Sequence, residues 1–152
     1  MSFILRKSRA EDCAALFGQL REEDLREVKA AGVSSYGALR EGFDKSIECC
    51  TATTDRGEMI AMFGVCPVVP AGDDALIWFL GSRRVDEFKF TYLHLGRRYV
   101  VEVMKEYKRI FNYCIAENTK TARFLRLLGF RFLPERDVYT NGEHWTYFEM
   151  EA

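Results

Sequence analysis

Three prolines, two histidines, no Cys-x-x-Cys pair, no surplus of either charge and no long apolar run mark this chain by what it lacks. Each shortage removes a class of function. Five cysteines (13, 49, 50, 66 and 114) form an odd set, and only His94 and His144 could join them, so no metal site is expected. The longest mostly apolar stretch, MIAMFGVCPVVPAG, carries two of the prolines and is too short for a membrane span. The opening MSFILRKSRAEDC has three consecutive apolar residues and then charges, which is not a secretory signal. Twenty-two Lys plus Arg against twenty-three Asp plus Glu leave a formal charge of −1. No global field recruits nucleic acid, which is not expected as a partner.

What is present describes a folded chain. The 152 residues are 48% hydrophobic and 14% aromatic, enough for one domain over residues 1–152 with a real core. The expected setting is reducing and intracellular, which includes a protein made inside an infected host cell.

FILRKS reads as a first strand, followed by a helix through CAALFGQLREEDLREVKAA that breaks between Gly18 and Asp24 and stops at Gly32. SSYGALREGFDK reads as a polar connection. SIECCTAT and EMIAMFGVCPVV form a hairpin around TDRG, and ALIWFLGS is continuous and apolar, as a strand buried on both faces should be. Leu93, Val100, Met104 and Tyr107 line one face of a helix over residues 86–107. RIFNYCIA is a further strand. Asn118 or Thr119 caps a helix with Ala122, Leu125 and Leu128 on one side, stopped by Gly129. FRFLPERDVYT and HWTYFEME close the chain as two strands around NGE. The order β-α-α-β-β-β-α-β-α-β-β makes a mixed sheet of the α/β (α+β) class with helices on both faces.

That order, with Asn118, Ala122, Phe124, Leu128, Gly129 and Phe130 in the pattern N-x-K-x-A-x-F-x-x-x-L-G-F, resembles the GNAT acetyltransferase superfamily. LREVKAAGV, IWFLGS, the long helix ending EYKR and the tail TNGEHWTYF also resemble the internal virion protein A family of short-tailed bacteriophages. The first likeness implies an acyl-CoA N-acyltransferase fold, with acetyl-CoA as cofactor and Leu80, Arg83, Arg84, Asn118 and Ala122 as cofactor-binding positions. The second implies a virion-morphogenesis or host-interaction factor, with a phage or host protein as partner. Its place would be the cytoplasm of the infected bacterium or the virion.

Acetyl transfer needs backbone N–H groups for a pyrophosphate, a base for the acceptor amine and an acid for the departing thiolate. The family's phosphate loop is glycine-rich; the matching stretch here, GSRRVDEFKF, has no glycine after Gly81 and brings Asp86 and Glu87. Arg83 and Arg84 could attract phosphates instead, and the alternative is an ordinary strand-to-helix turn. The family's acid, a Tyr four residues before the helix-ending Gly, is Leu125 here, which has no proton to give. Tyr107 and Tyr113 are substitutes whose spacing selects neither, and each also reads as a core aromatic. Asp74, with Asp73 beside it, is the candidate base or a simple turn carboxylate. Asn118 reads as a cap as well as a cofactor contact.

Cys114 reads as a small buried hydrophobe rather than a nucleophile, and Cys49 and Cys50 point to opposite faces of a strand. Lys120, Arg123 and Arg126 repeat on one face and read as a solvated basic surface; with Lys108, Arg109 and Arg131 they could alternatively meet RNA, DNA or an acidic partner. Gly96 inside the long helix has no functional reading. Two accounts of the whole remain: a phage protein with degenerate acetyl-CoA chemistry, or a divergent acetyl-CoA-dependent N-acetyltransferase acting on an amine.

Overall fold

The computed structural model describes residues 3–152; Met1 and Ser2, at the head of the N-terminal stretch read above, lie outside the described residues. Two compact units divide the chain, one running to Cys66 and resuming over Ile77–Lys89, the other taking Pro67–Leu76 and Phe90–Ala152.

In the first unit, β1 (Phe3–Lys7) pairs antiparallel with β2 (Glu48–Thr54), and β2 with β3 (Met59–Pro67), whose register slips by a bulge between Ala52 and Thr53. The strand order continues to β4 (Asp74–Gly81), most of which belongs here. β3 is buried on both faces, with Met59, Ile60, Ala61 and Met62 all inside, and Ala52 of β2 beside them. Three helices accompany the strands: α1 (Ala10–Leu16), α2 (Glu22–Ala30) and α3 (Ser35–Lys45). Cys13, Leu16, Leu20, Leu39, Cys49, Met59 and Met62 make the core, with Phe43, Trp78 and Leu80 packed on it.

Helix α3 corrects the expectation of a polar connection over SSYGALREGFDK. The Ser34 hydroxyl accepts from the Gly37 amide at 2.9 Å, a proper N-cap. Arg40–Asp44 and Glu41–Lys45 add i,i+4 pairs, and Leu39 is fully buried. Gly37 and Gly42 dilute the helical signal in the sequence. At Gly42 the reason is packing, since a Cβ there would lie 2.6 Å from the Trp78 ring.

The second unit centres on β5 (Arg109–Ile115), parallel to the start of β4 over Asp74–Leu76 and antiparallel to β8 (Glu143–Glu151). β6 (Arg131–Phe132) and β7 (Val138–Thr140) both pair with β8. FRFLPERDVYT is therefore not one strand: a 3-10 turn over Pro134–Arg136 splits it, because proline has no N–H to give a ladder. Asn141 and Gly142 turn β7 into β8 with φ of 53° and 74°, as a tight hairpin demands.

The long helix is also shorter than its apolar spacing predicts. Its first turns are 3-10 (Arg83–Phe88), and α4 proper covers Lys89–Val103. In α5 (Thr119–Leu128) both ends match expectation: Asn118 Oδ1 accepts from the Thr121 amide at 3.2 Å, and Gly129 has φ of 107°. Gly96 now has a role. A Cβ there would meet Leu128 Cδ2 at 2.8 Å, so the glycine lets α4 and α5 approach closely, and Arg97 Nε donates to the Leu127 carbonyl at 3.0 Å.

Candidate phosphate-binding hollow and its surroundings

β4 ends where the chain leaves Gly81 for Ser82. The Ser82 amide donates to the Ile60 carbonyl on β3 at 2.8 Å, and its hydroxyl donates to the Met59 carbonyl at 2.9 Å. That hydroxyl also accepts from the Arg84 amide at 3.2 Å, and the Ser82 carbonyl accepts from the Val85 amide at 3.1 Å. Ser82 is thus the N-cap of the 3-10 turn. No glycine follows Gly81 in this turn.

Gly81 itself is required by packing. A Cβ there would fall 2.5 Å from Val85 Cγ2 and 3.0 Å from Phe79 Cε1. Its amide donates to Asp24 Oδ2 at 2.8 Å, and its carbonyl accepts from the Arg21 amide at 2.9 Å. The backbone groups that could cradle a pyrophosphate are therefore largely committed within the chain.

Side chains are a different matter. Gln19, Ser82, Arg83, Arg84 and Glu87 line a shallow hollow of about 280 Å³. Arg83 is exposed, while Arg84 pairs with Glu58 and lies 3.7 Å from Glu87. Of the lining side chains, Arg83, Arg84 and Gln19 are donors a phosphate oxygen can use, but Arg84 is already shared between Glu58 and Glu87. Any phosphate here would meet side-chain donors and not a glycine cradle.

The other residues singled out from the sequence are placed as follows. Leu80 packs on the core of the first unit. Asn118 caps α5, and the half-buried Ala122 lies on that helix. Asp74 opens β4 with its carboxylate 3.8 Å from Arg109, and Asp73 is 3.5 Å from Lys108, so both carboxylates face cations. Tyr113 on β5 meets the Tyr147 ring edge-on at 5.3 Å. Tyr107 is half-buried beyond the end of α4. Leu125 occupies the family's Tyr position on α5, and its carbonyl accepts from the Phe130 amide. Cys114 is 3% exposed with its thiol 3.4 Å from the Thr146 hydroxyl.

Lys120, Arg123 and Arg126 are exposed along α5, as a solvated face requires. Arg126 lies over the Phe132 ring at 4.5 Å, while Arg109 and Arg131 are bound to carboxylates of β8. Those bonds belong to a cluster the sequence did not reveal. Glu149 is fully buried and takes Arg131 at 2.8 Å, Arg136 at 3.3 Å, Arg109 at 3.6 Å and the Tyr147 hydroxyl at 2.9 Å. Burial pushes its carboxyl up, but hydrogen bonds from Arg131 and Tyr147 and the charge of Arg109 hold it below the usual carboxylate range. Alternation in WTYFEME put Tyr147 and Glu149 on one face; nothing in the sequence tied three distant arginines to it.

No helix among the described residues is long and apolar enough to cross a membrane, and no group of three or more His, Cys, Asp or Glu among them could hold a metal ion.

No protein-family model matches the chain, and no curated protein matches it in sequence. Solved structures do. An aminoglycoside acetyltransferase in complex with coenzyme A is 18% identical, with a TM-score of 0.68 over 99% of this chain and 95% of that one. A GNAT-family acetyltransferase from Bacillus anthracis is 14% identical, with a TM-score of 0.70 over 99% and 95%. A spermidine N-acetyltransferase from Vibrio cholerae, in complex with CoA and spermine, is 14% identical, with a TM-score of 0.67 over 98% and 95%. No finding supports the likeness to the internal virion protein A family. The mixed α/β architecture of this chain is the GNAT acetyltransferase fold.

Proposed function

We propose that the chain is a divergent acetyl-CoA-dependent N-acetyltransferase that grips the cofactor's phosphates with Arg83 and Arg84 instead of glycine amides, and acts on an amine. The observation that carries this is the hollow at the end of β4, where both arginines stand beside the Ser82 cap. The fold it sits in is shared with enzymes solved in complex with coenzyme A. Asn118 and Ala122 of α5 and Leu80 of β4 are the proposed further cofactor contacts. Asp74 is the proposed base and Tyr107 or Tyr113 the proposed acid, since Leu125 can give no proton.

Calorimetric titration with acetyl-CoA and with free CoA tests this. Binding at micromolar strength, about −8 kcal/mol, is expected. Arg84→Glu is expected to weaken it at least tenfold, because it replaces a phosphate donor with a repelling charge. Absence of heat at concentrations where such binding could not hide sinks the proposal.

A second reading has its own support. The committed Gly81 and Ser82 amides and the absent Tyr fit a fold whose acetyl-CoA chemistry has degenerated. That reading is the bacteriophage virion-morphogenesis or host-interaction factor, in the infected cytoplasm or the virion, with a phage or host protein as partner. It expects no cofactor binding, and retention of this chain by purified virions.

A further inference from the structure

We propose that the exposed seam between α4 and α5 is a docking surface for an acidic amphipathic helix of another protein. The inference is independent of the acyltransferase reading.

The seam lies within the second unit. α4 turns Tyr92, Val100 and Val103 inward, so helical spacing sends Phe90, Arg97 and Val101, at i, i+7 and i+11, to its outer side. Phe90 is 79% exposed and Val101 59%, and Arg97 is exposed between them. Two contacts bring α5 alongside. Leu128 closes on Gly96, and Arg97 Nε donates across to the Leu127 carbonyl at 3.0 Å. Leu127, 48% exposed, therefore stands beside the stripe on α4.

Every charge on this seam has one sign. From Phe90 to Val101, and through Thr119–Leu128, the sequence has no Asp or Glu, and the next acid, Glu102, is taken by Lys105 at 2.9 Å. Arg98 and Arg123 are exposed, and no carboxylate among the described residues pairs with either. Arg97 spends only its Nε on Leu127, which leaves the Nη edge that takes a carboxylate by two parallel N–H bonds. That guanidinium is in place before any partner arrives, so less freedom is lost on binding.

Arginines without carboxylates call for an anionic partner, and the apolar side chains among them call for one that is apolar too. An acidic helix with a row of apolar residues offers both along one face. Nucleic acid would use the arginines and leave Phe90, Val101 and Leu127 without a role. A bilayer would have to bury the line from Phe90 to Val101, about 16 Å of helix. Arg97 stands in that line, tied to the Leu127 carbonyl, and so cannot lift its charge back to the headgroups. A carboxylate on a helix can come down to meet it.

Fluorescence anisotropy tests this with a labelled synthetic helix of about 18 residues, five turns. It carries Leu at i, i+4, i+7 and i+11 and Glu on both flanks; its control has the same residues in an order that breaks the face. The patterned helix is expected to bind at micromolar strength, and the control at least tenfold more weakly. Binding is expected to fall at least tenfold in the double variant Arg98→Glu with Arg123→Glu, and in Phe90→Ser, each checked for its fold by circular dichroism. No binding of the patterned helix overturns the proposal. So does equal binding of the control, which is attraction by charge alone, or unchanged binding by the folded variants. A single-stranded RNA oligomer and vesicles of phosphatidylcholine with one-third phosphatidylserine are run beside the peptide. Tighter binding of either one, lost in the same variants, makes the seam a nucleic-acid or lipid surface and overturns the proposal. Should the variants fail to fold, amide exchange of the wild type decides. The patterned helix is expected to slow exchange over residues 90–101 and 119–128; protection confined to other segments overturns the seam.

Discussion

Glu149 shows how much one side chain can hold together. Its oxygens gather Arg109, Arg131, Arg136 and Tyr147 from β5, β6, the 3-10 turn and β8 itself. Glu149→Gln keeps the shape and removes the charge, leaving three guanidinium groups to share a neutral amide. The loss is expected to be about 2 kcal/mol, below the full penalty for breaking a buried pair because the arginines reach water. Urea denaturation of the variant measures it. Gly42 makes the opposite kind of demand, for nothing at all. Gly42→Ala drives a methyl into the Trp78 ring and is expected to cost about 1–3 kcal/mol, with a change in Trp fluorescence reporting the displaced indole. The cap of α3 was readable at Ser34 in principle. The Trp78 contact was not, because it joins residues thirty-six apart that no local pattern relates.

Among the elements, α5 was legible from end to end and α3 was not. Both have a side-chain cap, yet α5 carries its apolar residues at helical spacing and ends on a glycine in the left-handed region, where any side chain is strained. α3 has two interior glycines that weaken its propensity, and only tertiary packing of Leu39 and Phe43 restores it. The difference predicts different sensitivities. Asn118→Ala removes the α5 cap and should cost about 1 kcal/mol in thermal or urea unfolding. It also separates the two readings of this residue: if Asn118 only caps, coenzyme A affinity of the folded variant is unchanged; if it contacts the cofactor, affinity falls as well. The split of FRFLPERDVYT at Pro134 was within reach of the sequence, since proline cannot serve an interior ladder position.

For the molecule as a whole, the fold class was legible in the element order, while Arg83 and Arg84 stand out in the sequence only as charges beside a strand end. The committed backbone of Gly81 could not be foreseen, because its partners Arg21 and Asp24 lie some sixty residues earlier. Acid is the condition that tests these buried carboxylates together. At Asp12 burial pushes the carboxyl up, but Arg6, the Arg9 amide and the Thr51 hydroxyl hold it below its ordinary value, as Glu149 is held below its own. Stability from these two is fully present above the unfolded carboxylate range, about pH 4, and is lost as pH falls through their folded values. Asp24 runs the other way: its carboxyl is raised, so its contribution is fully present below that range and fades as pH rises through its folded value. With two groups against one, urea midpoints should hold near neutrality and drop below about pH 4. Asp12→Asn should flatten that drop.

The five thiols give the chain a chemistry that an experimenter can use. Cys13, Cys49 and Cys114 are buried, and Cys50 and Cys66 are half-buried. Burial pushes the Cys49 thiol up to about 11 and raises Cys13 and Cys50 too, so little thiolate exists there at neutral pH. Cys66, half-buried at the end of β3, lies beside Ser46, the hydroxyl that receives the Trp78 indole N–H, and is the thiol on which a maleimide dye offered in slight excess is expected to settle. The native chain thus comes with one addressable handle a few bonds from a natural fluorophore, and an energy-transfer pair can be built without altering a single residue.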